Sequence, residues 1–293
     1  MSQPPEPAAG VIHDIGYRHY DGPRLGRGHA VLALYVHSLR GVFGLGRPAR
    51  SKVVPFGLLA IICAPAVISA AIAALTSLQL IAYTTYAYYL QLVIMLFVAA
   101  QAPQLITTDL RFRVLPLYFS RPLERDDYVW AKLAALASGL LIVLVAPMLI
   151  IYAAALLGHV HSVQEAWSDT QRFLTGVAGA AVSAVLLAAL GLAIAALTRV
   201  RAFAIVAIIG VYLVTSSVVG IIQGVAHGTS IASIAGLFTP FQLLDWFQAW
   251  AFGVRPAVPP GPGSAGPLYG LVTVALTAAA VGVLLLRYRR AQT

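Results

Sequence analysis

Asp109, Arg111, Arg113, Glu124 and Asp126 are the residues of this chain whose types and spacing could form a polar reaction centre. Converging at one membrane face, these carboxylates and guanidinium groups would suit an integral membrane lipid-modifying enzyme, such as a transferase. Other chemistry finds little material. His159 and His161 could pair on a loop as metal ligands, but no HExxH pattern occurs, so no metal site is expected. Cys63 is the single cysteine and sits inside an apolar run, so no intrachain disulfide can form. Neither lysine, Lys52 nor Lys132, belongs to a GxxxxGK[ST] phosphate loop. The chain is therefore expected not to hydrolyse ATP, and any energy its function consumes must come from another polypeptide.

The elements that must carry these residues are apolar. Sixty per cent of the 293 residues are hydrophobic and only 10% are charged, where soluble domains average about 25% charged. Such a chain takes the bilayer as its solvent. Continuous Ala/Leu-rich runs exclude the alternating pattern of a β-barrel and predict one all-α integral membrane domain. The net charge of +9 is divided among the segments between apolar runs, a pattern of topology signals rather than of a nucleic-acid-binding face.

Residues 1–52 read as a cytoplasmic tail followed by an interfacial helix. Pro4, Pro5, Glu6 and Pro7 make no signal-peptide start, so the N-terminus is expected to stay in the cytoplasm. Leu32, Tyr35, Val36, Leu39 and Phe43 recur at helical spacing, which predicts an amphipathic helix lying flat at the interface. Six spans follow within 53–286, at about 53–75, 86–106, 133–157, 173–197, 202–223 and 268–286, and 287–293 form a cytoplasmic tail. Tyr83, Tyr86, Tyr88 and Tyr89 mark a membrane–water boundary. HVHSVQEAWSD reads as a polar loop, and Thr239–Pro240 opens a short interfacial helix with Phe241, Leu244, Phe247 and Ala251 on one face and Gln242 and Asp245 on the other.

Charge fixes the expected orientation. The N-terminal region, 107–132, 198–201 and the C-terminus together hold seventeen of the nineteen Lys and Arg, leaving Arg172 and Arg255 for the other side. The positive-inside bias then puts both termini in the cytoplasm of a multi-pass plasma-membrane protein. No Asp, Glu, Lys, Arg or His falls within the six predicted spans, which argues against an ion-coupled secondary carrier or channel. Gln91, Gln101, Gln104, Thr215 and Ser216 could line a substrate pathway, although hydroxyls and amides in spans more commonly bond between helices. The run Gly176 to Gly191, GVAGAAVSAVLLAALG, predicts close helix packing.

The segment 107–132, TTDLRFRVLPLYFSRPLERDDYVWAK, holds five basic and four acidic residues between two apolar runs. Leu110, Val114 and Leu117 suggest a short surface helix, Pro116 disfavours helical geometry at the residue before it, and Asp126 and Asp127 suit the positive start of the next helix. The segment resembles the cytoplasmic loop after the second span of type-2 ABC exporter permeases, in which an acidic residue, a coupling helix and an SRP-like element with a Tyr and a Lys follow in order. Asp109, then RVLPLYFSRPLER, then Tyr128 and Lys132 stand at those places. The resemblance extends to the layout of six spans with an N-terminal interfacial helix. It implies a non-catalytic permease subunit of an ATP-driven exporter that dimerises with a second copy or a paralogue. A separate nucleotide-binding ATPase, carrying ATP and Mg, would dock through Asp109, Arg111, Arg113, Leu117, Tyr118, Ser120, Arg121, Pro122, Arg125, Tyr128 and Lys132.

Overall fold

The structure, a computed structural model, describes residues 22, 25–76, 81–112, 123–158, 162–226, 229–259 and 266–290. The described residues contain helices and no strand. In chain order these are α1 (Arg27–Val42), α2 (Arg50–Thr76), α3 (Tyr86–Tyr89), α4 (Gln91–Arg111), α5 (Arg125–Gly158), α6 (Val163–Ala196), α7 (Arg201–Val225), α8 (Ser230–Gly236), α9 (Pro240–Phe252) and α10 (Gly266–Arg290). Six of them, α2, α4, α5, α6, α7 and α10, are long and apolar enough to cross a membrane. This is the architecture of a multi-pass membrane protein.

α4 and α6 are buried over most of their apolar length, whereas α2, α7 and α10 expose most of theirs. Side chains such as Phe203, Val206 and Ile221 on α7 and Leu271 and Val274 on α10 face outward. Water would not tolerate so continuous an apolar surface, and lipid does. The core is built where Leu136, Leu140 and Leu144 of α5 meet Leu186 and Leu192 of α6 and Phe97 and Val98 of α4. The small residues of α6 let this happen. A Cβ on Gly176 would come within 2.7 Å of Tyr83 Cβ, and one on Gly191 would collide with Val98. Close packing is thus what the run 176–191 provides.

Two predicted spans are parts of longer helices. α5 and α6 each have 34 residues, about 51 Å of helix against a hydrocarbon core of about 30 Å. α6 begins ten residues before the predicted span because Ser162 and Glu165 form its cap: the Ser162 hydroxyl oxygen accepts the Glu165 backbone N–H at 3.2 Å. The segment read as a polar loop from Ser162 onward is therefore helix, and Asp169 is buried within it. α5 begins at Arg125, with Asp126 and Asp127 in its first turn, as their charge suits. The predicted span from Tyr86 is broken in two: α3 is a separate turn, and the long helix starts at Gln91.

Three further expectations need correction. α1 forms, but it buries Leu34, Ser38 and Val42, while Leu32 and Val36 of the predicted stripe are exposed. The reason is a close approach to α5, where a Cβ on Gly139 would lie 2.8 Å from Val42 Cγ1, together with a hydrogen bond from Tyr35 Oη to Ser138 Oγ at 3.0 Å. The tyrosine cluster is not a uniform boundary belt: Tyr83 and Tyr86 are core residues, Tyr86 Oη donates to the Ile62 carbonyl at 2.5 Å, and Tyr89 is exposed. α9 starts at Pro240 as Thr239–Pro240 predicts, yet Gln242, Asp245 and Gln248 are buried along with Phe241 and Leu244. Packing against α10, α6 and α3 covers both of its faces, so no polar side is left to water.

Candidate functional site

The charged residues of the 107–132 region meet three other parts of the chain at one end of the bundle. The last turn of α4 supplies Asp109, and the first two turns of α5 supply Asp126, Asp127, Tyr128 and Lys132. Residues 113–122, which carry Arg113, Leu117, Tyr118, Ser120, Arg121 and Pro122, lie outside the described residues, as does the predicted coupling helix.

The innermost part is a buried polar triad. Lys132 Nζ lies 2.9 Å from Asp109 Oδ2, and Tyr128 Oη donates to the same oxygen at 2.7 Å. Lys132 and Tyr128 are four residues apart on α5, so both project from one helix face toward the end of α4. The ammonium also stands 5.3 Å from the centre of the Tyr128 ring. Lys132 is 4% exposed and Tyr128 fully buried. A lone charge at such a site would be strongly disfavoured, and pairing plus a phenol donor makes the burial tolerable. Tyr288 of α10 closes the cluster, its ring centred 5.2 Å from that of Tyr128.

Around the triad runs an exposed ionic clasp. Glu124 precedes α5, and its backbone N–H is accepted by the Asp127 carboxylate at 3.1 Å, the reciprocal half of a capping box. Arg27, at the start of α1, donates from Nε to Asp127 Oδ2 at 2.8 Å and also pairs with Glu124. Asp127 first, then Glu124, hold the Arg27 guanidinium still further above its ordinary value. Arg289, at the end of α10, binds Asp126 through two nitrogens, with Nε to Oδ1 at 3.0 Å, and its carbonyl accepts Arg125 Nη1 at 2.8 Å. The start of α5 is thus held by both described ends of the chain. Arg111 points elsewhere, packing over the Phe112 ring at 5.7 Å.

Of the residues proposed from sequence, the structure brings together Asp109, Tyr128 and Lys132, and Arg125 bonds to the Arg289 carbonyl in the surrounding clasp. Sequence reading missed Arg27, Tyr288 and Arg289, whose partners are 97 to 164 residues away in the chain. No local pattern could have announced them. Of the five residues considered as a reaction centre, Arg113 lies outside the described residues and the other four each face a different partner. Asp109 faces Lys132, Glu124 faces Arg27, Asp126 faces Arg289 and Arg111 lies on Phe112.

The amides and hydroxyls considered as a pathway also divide. Gln104 Nε2 donates to the Gly41 carbonyl of α1 at 3.1 Å, and its Oε1 accepts from Arg201 at 3.4 Å, so this side chain ties α1, α4 and α7 at the charged end. Thr215 donates to the carbonyls of Val211 and Tyr212 in its own helix. Ser216 is half-buried on the same helix, Gln91 is half-buried at the opposite end of α4, and Gln101 is buried in the α4 core.

At the other end of the bundle two carboxylates, Asp169 and Asp245, are buried. Tyr83 Oη donates to Asp169 Oδ2 at 3.0 Å; burial first, and the carboxylate second, hold the phenol well above its ordinary value. Asp245 accepts the backbone N–H groups of Ala257 at 2.7 Å and Val258 at 3.4 Å, and Trp246 Nε1 donates to the Val258 carbonyl at 2.7 Å. These bonds strap the start of the Pro/Gly-rich stretch to α9. Burial pushes the Asp245 carboxyl up to about 6. Among the described residues no group of three His, Cys, Asp or Glu could hold a metal ion; His159 and His161 lie outside them. Compared with known proteins, the chain matches no protein-family model and no curated sequence.

Proposed function

We propose that this chain is the membrane permease subunit of an ATP-driven ABC exporter, non-catalytic itself and coupled to a separate ATPase through the segment after its second span. The observation that carries this reading is the triad of Asp109, Tyr128 and Lys132. It joins the two flanks of residues 113–122 in one buried cluster, so a push on that segment would reach α4 and α5 together. The resemblance of the segment to the coupling loop of such permeases supplies the identity of the pusher. In this reading the charged end faces the cytoplasm, both termini lie there, and α1 rests at the interface with its exposed Leu32 and Val36 toward lipid. A second permease, copy or paralogue, completes the pathway. The ion pairing of Asp109, Glu124, Asp126 and Asp127, the described carboxylates of the charged end, favours coupling over a lipid-modifying active site.

The test is co-expression with the ATPase encoded by a neighbouring gene. Arg121→Glu with Arg125→Glu should abolish co-purification and stimulation of ATP hydrolysis while the permease still inserts in the membrane. Unchanged co-purification and stimulation would overturn the assignment, and turnover of lipid substrates by the purified chain alone would favour the enzyme.

A further inference from the structure

Four carboxylates lie among the described residues of the charged end, Asp109, Glu124, Asp126 and Asp127, and each is engaged by Lys132, Arg27 or Arg289. The remaining cations of that end are not distributed evenly. Arg199, in the turn between α6 and α7, and Arg287 and Arg290, in the last turn of α10, rim a single groove of about 480 Å³. None of the three contacts a carboxylate among the described residues; Arg287 makes only a long 3.4 Å hydrogen bond to the Leu197 carbonyl. Besides the arginines the groove is lined by Tyr288 and floored by Leu197, Val283 and Leu286, all three exposed on the outer surface of the bundle.

Its two halves want different things. Three guanidinium groups that meet no carboxylate among the described residues suit a phosphate, which arginine binds with several N–H donors at once. The apolar floor leads from them along the outer face of α10, where a hydrocarbon chain would lie. A soluble anion would satisfy the rim and leave the floor in water, and a neutral lipid would do the reverse. The volume is within the range of small-ligand sites. The geometry points to a binding site for one anionic phospholipid of the leaflet at the charged end, its phosphate on Arg199, Arg287 and Arg290 and its first methylenes on Val283 and Leu286. The site bridges the α6–α7 turn to the end of α10, next to the Arg289–Asp126 clasp, so its occupant would brace the same junction that holds α5. The inference needs only the membrane architecture and stands whether or not an ATPase docks here.

Native mass spectrometry of the full chain released from a neutral detergent, titrated with phosphatidylglycerol, tests it. One phosphatidylglycerol should be retained per chain, phosphatidylcholine should not be retained, and millimolar inorganic phosphate should not compete. Arg199→Gln with Arg290→Gln should weaken retention about tenfold or more, since each juxtamembrane cation contributes to anionic-lipid attraction. Arg47→Gln with Arg50→Gln removes two exposed cations of the same end outside the groove and should change it less than about twofold. Val283→Trp, which fills the floor and keeps every arginine, should also weaken retention, and it covers the case of a misfolded arginine variant. Equal loss in the groove and control variants, or displacement by phosphate alone, would overturn the proposal.

Discussion

The two ends of this bundle handle buried and half-buried carboxylates in opposite ways. At the charged end each described carboxylate, Asp109, Glu124, Asp126 and Asp127, meets a cation, so the interactions are between full charges. At the other end the contrast rests on Asp245, which accepts from two backbone N–H groups, while Asp169 accepts from the Tyr83 phenol. Full charges near a surface respond to ionic strength, and a buried carboxylate without a cation responds to pH. One end of the molecule is therefore tuned by salt and the other by protons. The division agrees with their proposed duties: the charged end is a joint between chain segments, and the other is a fixed cover in which α9 is strapped to the following turn.

The largest expected effect is at the part of the charged end that salt cannot reach. Lys132 and Asp109 have side chains 5% and 14% exposed. Lys132→Met leaves Asp109 buried with only the Tyr128 hydroxyl, and should destabilise the chain by about 3–5 kcal/mol in thermal or denaturant unfolding. Adding Asp109→Leu removes the orphaned charge and should recover most of that loss. If the single variant is as mild as the double one, the triad is not desolvated as its geometry requires and the two ends differ less than described.

The contrast between the ends was only half legible in the sequence. The six apolar runs, the acidic first turn of α5, the Thr239–Pro240 start of α9 and the small-residue packing face of α6 follow from local rules, and the structure shows them. Asp109, Tyr128 and Lys132 were singled out by resemblance, whereas their mutual contact is a tertiary fact. The Ser162–x–x–Glu165 cap was present in the letters, but the polar residues beside it suggested a loop and hid Asp169 inside a helix. The burial of Gln242 and Asp245 was not legible at all. A helical wheel distinguishes two faces of α9 and says nothing about whether a neighbour covers both. Partners such as Arg27 and Arg289 come from the ends of the chain and leave no periodic trace.

The second effect concerns the neutral end. The Asp245 carboxyl is pushed up from 3.8 to about 6 by burial, against two backbone N–H bonds that lower it. Between those values the folded chain holds a proton that the unfolded chain has released. Stability from this group is therefore greatest at the acid side of the window, falls as pH rises from about 4 to about 6, and is flat above it. Asp245→Asn keeps an acceptor oxygen for Ala257 and removes the titration. Its unfolding temperature should vary less with pH across that window than that of the unaltered chain, with the two curves converging toward pH 4. Parallel curves would mean that Asp245 does not titrate there and that the proton-sensitive end is not built on it.

The smallest effect should come from the exposed clasp. Arg27 and Glu124 have side chains 50% and 65% exposed, so their pairing works through solvent. Only Asp127, 17% exposed, offers Arg27 a sheltered partner. Arg27→Gln retains the stem and some hydrogen bonding while losing the charge, and should lower the unfolding temperature by about a degree or two at low salt. In 1 M salt the Debye length is about 3 Å, so the difference between variant and unaltered chain should nearly vanish. The pH-dependent difference between Asp245→Asn and the unaltered chain should be the same in both buffers, because the Asp245 carboxylate bonds to backbone N–H groups and offers salt no cation contact to screen. A difference at Arg27 that survives 1 M salt would assign its role to the packing of its aliphatic stem on α5, and the salt-sensitive end would then reduce to Arg289 and Asp126.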